Sequence, residues 1–261
     1  MMLKRQAAVA GMFYSDSSEE LERDIRRMLS EVLNSGPAPK AIIAPHAGYI
    51  YSGSIAASAY ARLTDVHDQI KRIVLLGPAH RIPFRGLAVS SANYFSTPLG
   101  DVELDRNAID QITDLPQVHI MDEAHALEHS LEVHLPFLQV VLDDFKLIPI
   151  VVGDASAEQV DEVLEKLWGG SETLVVISSD LSHYHDYLTA KAMDASTSSA
   201  IEKLQLEMIE PEGACGRNPI KGLLLAAKKH DLKATTVDLR NSGDTAGSKD
   251  SVVGYGSYVF D

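Results

Sequence analysis

Cysteine is nearly absent from this sequence: Cys215 is the only one in 261 residues. One thiol can neither close an internal disulfide nor build a zinc site of several cysteines, which excludes disulfide scaffolds and zinc-finger-like modules. Basic residues are scarce too, 23 Lys and Arg against 37 Asp and Glu, for a formal net charge of −14. That balance argues against wrapping nucleic acid or coating an anionic membrane, since both need clustered cations. No apolar run approaches the roughly 18 residues of a membrane-spanning helix. Nor does any Pro/Ser-rich linker, low-complexity tract or internal repeat divide the chain. The opening MMLKRQAAVAGMFY has only a short apolar run before an acidic helical pattern. It reads as native sequence and not as a secretion signal, which points to a cytoplasmic protein.

What is present is an alternation of β-branched runs and amphipathic stretches. Residues 17–34 place Leu21, Ile25, Met28, Leu29 and Val32 at helical spacing, with Ser17 and Glu20 set for a capping box and Ser35-Gly36-Pro37 as the break. The runs 40–45, 72–78 and 173–178 are short, continuously apolar and stopped by Gly, Pro or Ser, as strands buried on both faces are. Residues 145–152 repeat the pattern with a proline that predicts an edge or a bulge. Further helices are expected near 53–63, 130–142, 157–168, 187–204 and 213–229, and alternating strands at 233–240 and 252–260. The fold expected is a single α/β domain spanning 1–261, with a largely buried central sheet, mixed or parallel, flanked by helices.

The ten histidines are not spread evenly. His46, His80 and His183 each follow one of the three buried-strand candidates by a few residues. Ligand crevices in open α/β sheets lie beyond the carboxyl ends of the strands, so three parallel neighbours would bring these histidines to one site. Nearby Gly48, Gly53 and Gly77 would permit sharp turns and close approach. The segment EAHALEHSLEVHLP adds His125, His129 and His134; the first two would share a face of one helix. His129 and Glu132 also match the short HxxE spacing of some zinc hydrolases. In the loop NSGDTAGSKD, Asp244 can supply a carboxylate to the histidine site. Two imidazoles and a carboxylate suit Fe(II) with open coordination positions, and the same set could hold Zn²⁺ for hydrolysis. Tyr49, Tyr51, Tyr184 and Tyr187 flank candidate histidines and could stack an aromatic ring.

The motifs APHAGYIYSG, LLGPAHR, EHSLEVHLPFLQ, SSDLSHY, CGRNPI and the final SGD…VVGY together resemble the MEMO family. That resemblance implies a fold like the class III extradiol dioxygenases, non-haem Fe(II) enzymes that open catechol rings. It implies His46, His80 and Asp244 as metal ligands, with Asp250 the substitute for Asp244, and His183 as the acid/base with Asp180 beside it. Tyr49, Tyr51, His129, His134 and Tyr184 would line the substrate pocket. Iron is the metal implied, with copper or zinc as alternatives, and a radical-SAM protein is an implied pathway partner. Cys215 reads as a packing residue. Three functions follow as expectations: a metal-dependent oxidoreductase acting on a small molecule, a zinc hydrolase, or a peptide- or protein-binding module that keeps an enzyme-like pocket.

Overall fold

In the computed structural model, which describes residues 3–33 and 36–261, the chain runs through twelve strands and eight α-helices. These are β1 (Lys4–Arg5), α1 (Ser18–Ser30), β2 (Ala41–Ala44), α2 (Tyr49–Tyr60), β3 (Arg72–Pro78), β4 (Leu87–Val89), β5 (Tyr94–Thr97), β6 (Gly100–Glu103), α3 (Arg106–Ile112) and β7 (Val118–Ile120). There follow α4 (Asp122–Ala126), α5 (Leu135–Val141), β8 (Lys146–Val152), α6 (Ala157–Leu167), β9 (Thr173–Ser178), β10 (His183–His185), α7 (Tyr187–Glu202), α8 (Arg217–Lys229), β11 (Ala234–Asn241) and β12 (Val252–Phe260). The expected end of the first helix at Asn34 and its break at Ser35 lie outside the described residues. At its start the Ser17 side chain accepts from the Glu20 backbone N–H, while the Glu20 carboxylate accepts from Ser15 Oγ, so half of the capping box forms.

Nine strands make one mixed sheet in the order β10-β12-β2-β9-β3-β8-β4-β7, with β11 also paired to β12. The centre, β2-β9-β3-β8, is parallel, and β12 and β4 join antiparallel on either side. Ile42, Ile43, Val74, Leu75, Val175 and Val176 are fully buried, because helices cover both faces of this centre and leave no polar face to alternate with. A small sheet, β1-β5-β6, packs beside it. Among the described residues no helix is long and apolar enough to cross a membrane.

Pro149 corrects one expectation. Its strand β8 is interior, between β3 and β4, and Pro149 pairs with Leu75. The pairing with β4 begins only at Ile150, so at Pro149 the sheet has β3 on one side and no ladder to break on the other. The segment with the three histidines differs as well. Helix α4 ends at Ala126, and the chain passes through a turn before α5, so His125 and His129 do not share a helical face.

Candidate metal centre

The parallel register decides where the histidines arrive. Strand β9 lies between β2 and β3, with Ala44 opposite Ser178 and Leu76 opposite Ile177, so the three carboxyl ends open on the same side. His46, His80 and His183 leave those ends and line one cavity of about 860 Å³, together with Asp180, His129, Cys215, Tyr51 and Tyr184. Gly77 earns its place by close approach. A Cβ there would stand 2.8 Å from Ser130 Oγ, so only glycine lets β3 lie against the 128–131 segment.

The side chains around the histidines fix their tautomers. Ser178 Oγ donates to the Ser130 carbonyl at 2.6 Å, and so turns a lone pair to His46 Nδ1–H, also at 2.6 Å. His80 Nδ1–H donates to Glu128 Oε1 at 2.9 Å, and His183 Nδ1–H donates to the Leu181 carbonyl at 2.8 Å. In each ring Nδ1 is thus the engaged nitrogen, and Nε2 is the one left to take a ligand. Burial, reinforced by the neighbouring imidazoles, holds His46 well below its ordinary value and so neutral. Burial likewise lowers His129 to about 4 and lowers His183.

Cys215 completes a donor group that the sequence did not suggest. Its Sγ lies 3.5 Å from His46 Nε2, and one donor atom each from His46, His80 and Cys215 falls within 4.8 Å of the others. The turn before α8 carries it there: Cys215 N–H donates to the Asp180 carbonyl, Gly216 N–H donates to Ser179 Oγ, and Asp180 N–H points back at the sulfur. A Cβ on Gly216 would meet the Ser178 carbonyl oxygen at 2.6 Å, so this approach needs glycine. Burial, and then the nearby Asp180 carboxyl, push the thiol up to about 12, the protonated state expected of a thiol with no cation beside it. The reading of Cys215 as core packing is thus corrected: it faces the cavity.

Asp180 holds this corner together. Its carboxylate accepts from the His46 backbone N–H at 2.8 Å, and burial raises it to about 7 despite that bond. His183 and Tyr184 follow on β10, with Tyr184 at φ 63, an uncommon backbone for a tyrosine. Tyr184 is 78% exposed at the cavity mouth. Met12 and Phe13 form the opposite wall, with Phe13 against His129 at 4.9 Å between ring centres and His129 stacked on His80 at 4.7 Å.

Several expected site residues lie elsewhere. The Asp244 carboxylate accepts from the Tyr187 hydroxyl at 2.6 Å and from the Asn241 backbone N–H, and it lines a different cavity with Lys191 and Arg240. It is turned away from His46 and His80 because it closes the helical turn after β11. The Asp250 carboxylate accepts from Ser248 Oγ and does not line the histidine cavity. What this loop does bring is Ser242, Gly247, Ser248 and Ser251. The Tyr49 hydroxyl donates to the Val133 carbonyl while its ring packs on Phe137, and buried His134 pairs with the Tyr60 hydroxyl, so neither lines the cavity. Glu132, of the HxxE pair, is fully buried and ion-paired to Arg5, also accepting from the N–H groups of Ala8 and Val9. That removes the main support for a hydrolytic zinc site.

The donors that remain fit a resident transition metal. Two imidazole nitrogens and one thiol lie together, a set that suits iron, copper or zinc and not magnesium or calcium. A second group, His80, Glu128 and His129, is also close enough to surround an ion. Its carboxylate, however, already accepts from the backbone N–H groups of His80, His129 and Ser130 and from His80 Nδ1. It orients His80 and leaves the ligand role to the other face of that ring.

The pattern of the family described as Memo-like protein matches residues 5–259. A MEMO1 family protein of Aquifex aeolicus is 36% identical, covering 99% of this chain and all of that protein. Those of Metallosphaera sedula and Methanosarcina mazei are 32% and 34% identical, with 97% and 99% of this chain covered and 98% and 99% of theirs. Among solved structures, an uncharacterized protein of Escherichia coli K12 superposes with a TM-score of 0.54 at 14% identity, over 82% of this chain and 98% of that one, a likeness of fold.

Proposed function

This chain belongs to the Memo-like protein family, and on that premise we propose that it is a metal-dependent oxidoreductase whose ion sits on His46, His80 and Cys215. One observation carries the reading: a ring nitrogen of His46, one of His80 and the Cys215 sulfur lie within 4.8 Å of one another, with the sulfur 3.5 Å from His46 Nε2. When bound, iron or copper would supply redox chemistry at open coordination positions to a chelating, aromatic small molecule. His183, its Nδ1–H tied to a carbonyl, offers Nε2 as the acid/base, and Asp180 holds His46 and Cys215 in register. Tyr51, Phe13 and Tyr184 give the ring its apolar walls.

A second reading has support at the cavity mouth. Met12, Tyr51 and Tyr184 expose 72%, 37% and 78% of their surface there, which suits a peptide side chain entering the pocket without turnover.

Elemental analysis of protein purified without added metal tests the first reading. About one iron or copper per chain, lost in His46→Ala and in His80→Ala, supports it. Metal retained in full by both variants overturns it.

A further inference from the structure

His80 is the more exposed of the two imidazole donors, its side chain 28% open against 3% for His46. A ring so placed can flip about χ2 and exchange Nδ1 for Nε2 unless something fixes it. His46 is fixed by packing and by the Ser178 hydroxyl, a neutral acceptor. His80 is fixed by a charge. Glu128 is 2% exposed, and its carboxylate receives four N–H groups: the His80 backbone at 2.6 Å, the His80 ring at 2.9 Å, Ser130 at 2.9 Å and His129 at 3.0 Å. Three of the four belong to the backbone, so the carboxylate is seated whether or not a metal is bound. Of these four donors the His80 ring is the movable one, and it turns Nδ1–H toward Glu128; the His129 ring nitrogen Nδ1 stands farther off, 3.4 Å from the same oxygen.

We propose that Glu128 is a positioning residue for the metal centre: it locks His80 in the Nδ1–H tautomer and strengthens Nε2 as a donor. The inference rests on the reading of His80 as a ligand. Physically, a carboxylate on the remote N–H of an imidazole pulls that proton, raises electron density on the other nitrogen and removes the entropy of ring flipping. The two imidazoles then differ in kind, one backed by a hydroxyl and one by a full negative charge. All four groups around the Glu128 oxygens are N–H donors, the surroundings that suit an ionised carboxylate, which only accepts.

Co(II) titration of the full chain, by competition with a chromophoric chelator, tests this. Glu128→Gln keeps the shape and removes the charge; it is expected to bind Co(II) about 10–100-fold more weakly than the unmodified protein. Equal affinity in the two proteins overturns the proposal. A measurement without a variant decides the matter should Glu128→Gln fail to fold: long-range ¹H–¹⁵N correlation spectra of the metal-free wild-type protein at pH 8. His80 solely in the Nδ1–H form supports the lock, and the Nε2–H form or an averaged pattern overturns it. Absence of Co(II) binding by the wild-type chain would sink the metal reading itself, and the tautomer spectrum would still report on Glu128.

Discussion

Cys215 Sγ lies 3.5 Å from His46 Nε2, although 169 residues separate them in the chain. Asp180 joins the two, taking the His46 backbone N–H on its carboxylate and the Cys215 N–H on its carbonyl. The sulfur therefore comes to the histidines by way of the loop that ends β9.

The Arg5–Glu132 pair pins the N-terminal segment that carries Met12 and Phe13 into the cavity wall. Both side chains are buried, so Glu132→Ala leaves an uncompensated guanidinium, and a loss of about 3–5 kcal/mol is expected. Urea denaturation measures it. A loss below about 1 kcal/mol would mean that water reaches Arg5.

Acid should weaken the fold through two core histidines. Burial lowers His125 to about 4 and His134 to about 3, both below the ordinary 6.5. The unfolded chain then binds more protons than the folded one in this window. The stability these groups contribute is complete above pH 6.5 and is lost as pH falls toward 4 and then 3. Between pH 6.5 and 5 each costs about 2 kcal/mol. In His134→Asn, which can still meet the Tyr60 hydroxyl, the decline measured by denaturation at stepped pH should be shallower. An unchanged slope contradicts this.

Tyr184 pays for its place at the mouth with a left-handed backbone, φ 63. Tyr184→Gly removes that strain, worth about 1 kcal/mol and largely offset by glycine's greater unfolded entropy. Melting should shift little, while affinity for an aromatic chelator such as a catechol falls. A large drop in melting temperature would show that the exposed ring supports the fold.

The central strands were legible because each is a short apolar run with a stop signal, and β3, β9 and β12 match their expected bounds. From those strands alone followed the meeting of His46, His80 and His183. The region from Leu87 to Ile120 was not legible: its strands have three or four residues, too few to show a period. Cys215 and Glu128 escaped for another reason. Their positions depend on turns bound to distant backbone, Asp180 for one and the His80 N–H for the other, and no local pattern records such contacts. Asp244 looked like a ligand by residue type, yet its nearest partner is Tyr187, from a helix whose docking the sequence does not reveal.

The most direct measurement compares metal content in Cys215→Ser and Asp244→Asn, purified side by side with the wild-type chain. The geometry predicts that Cys215→Ser loses most of its metal and any sulfur-to-metal charge-transfer absorption, while Asp244→Asn keeps both. Full retention in Cys215→Ser together with loss in Asp244→Asn would contradict it, and would return the third ligand to the loop after β11.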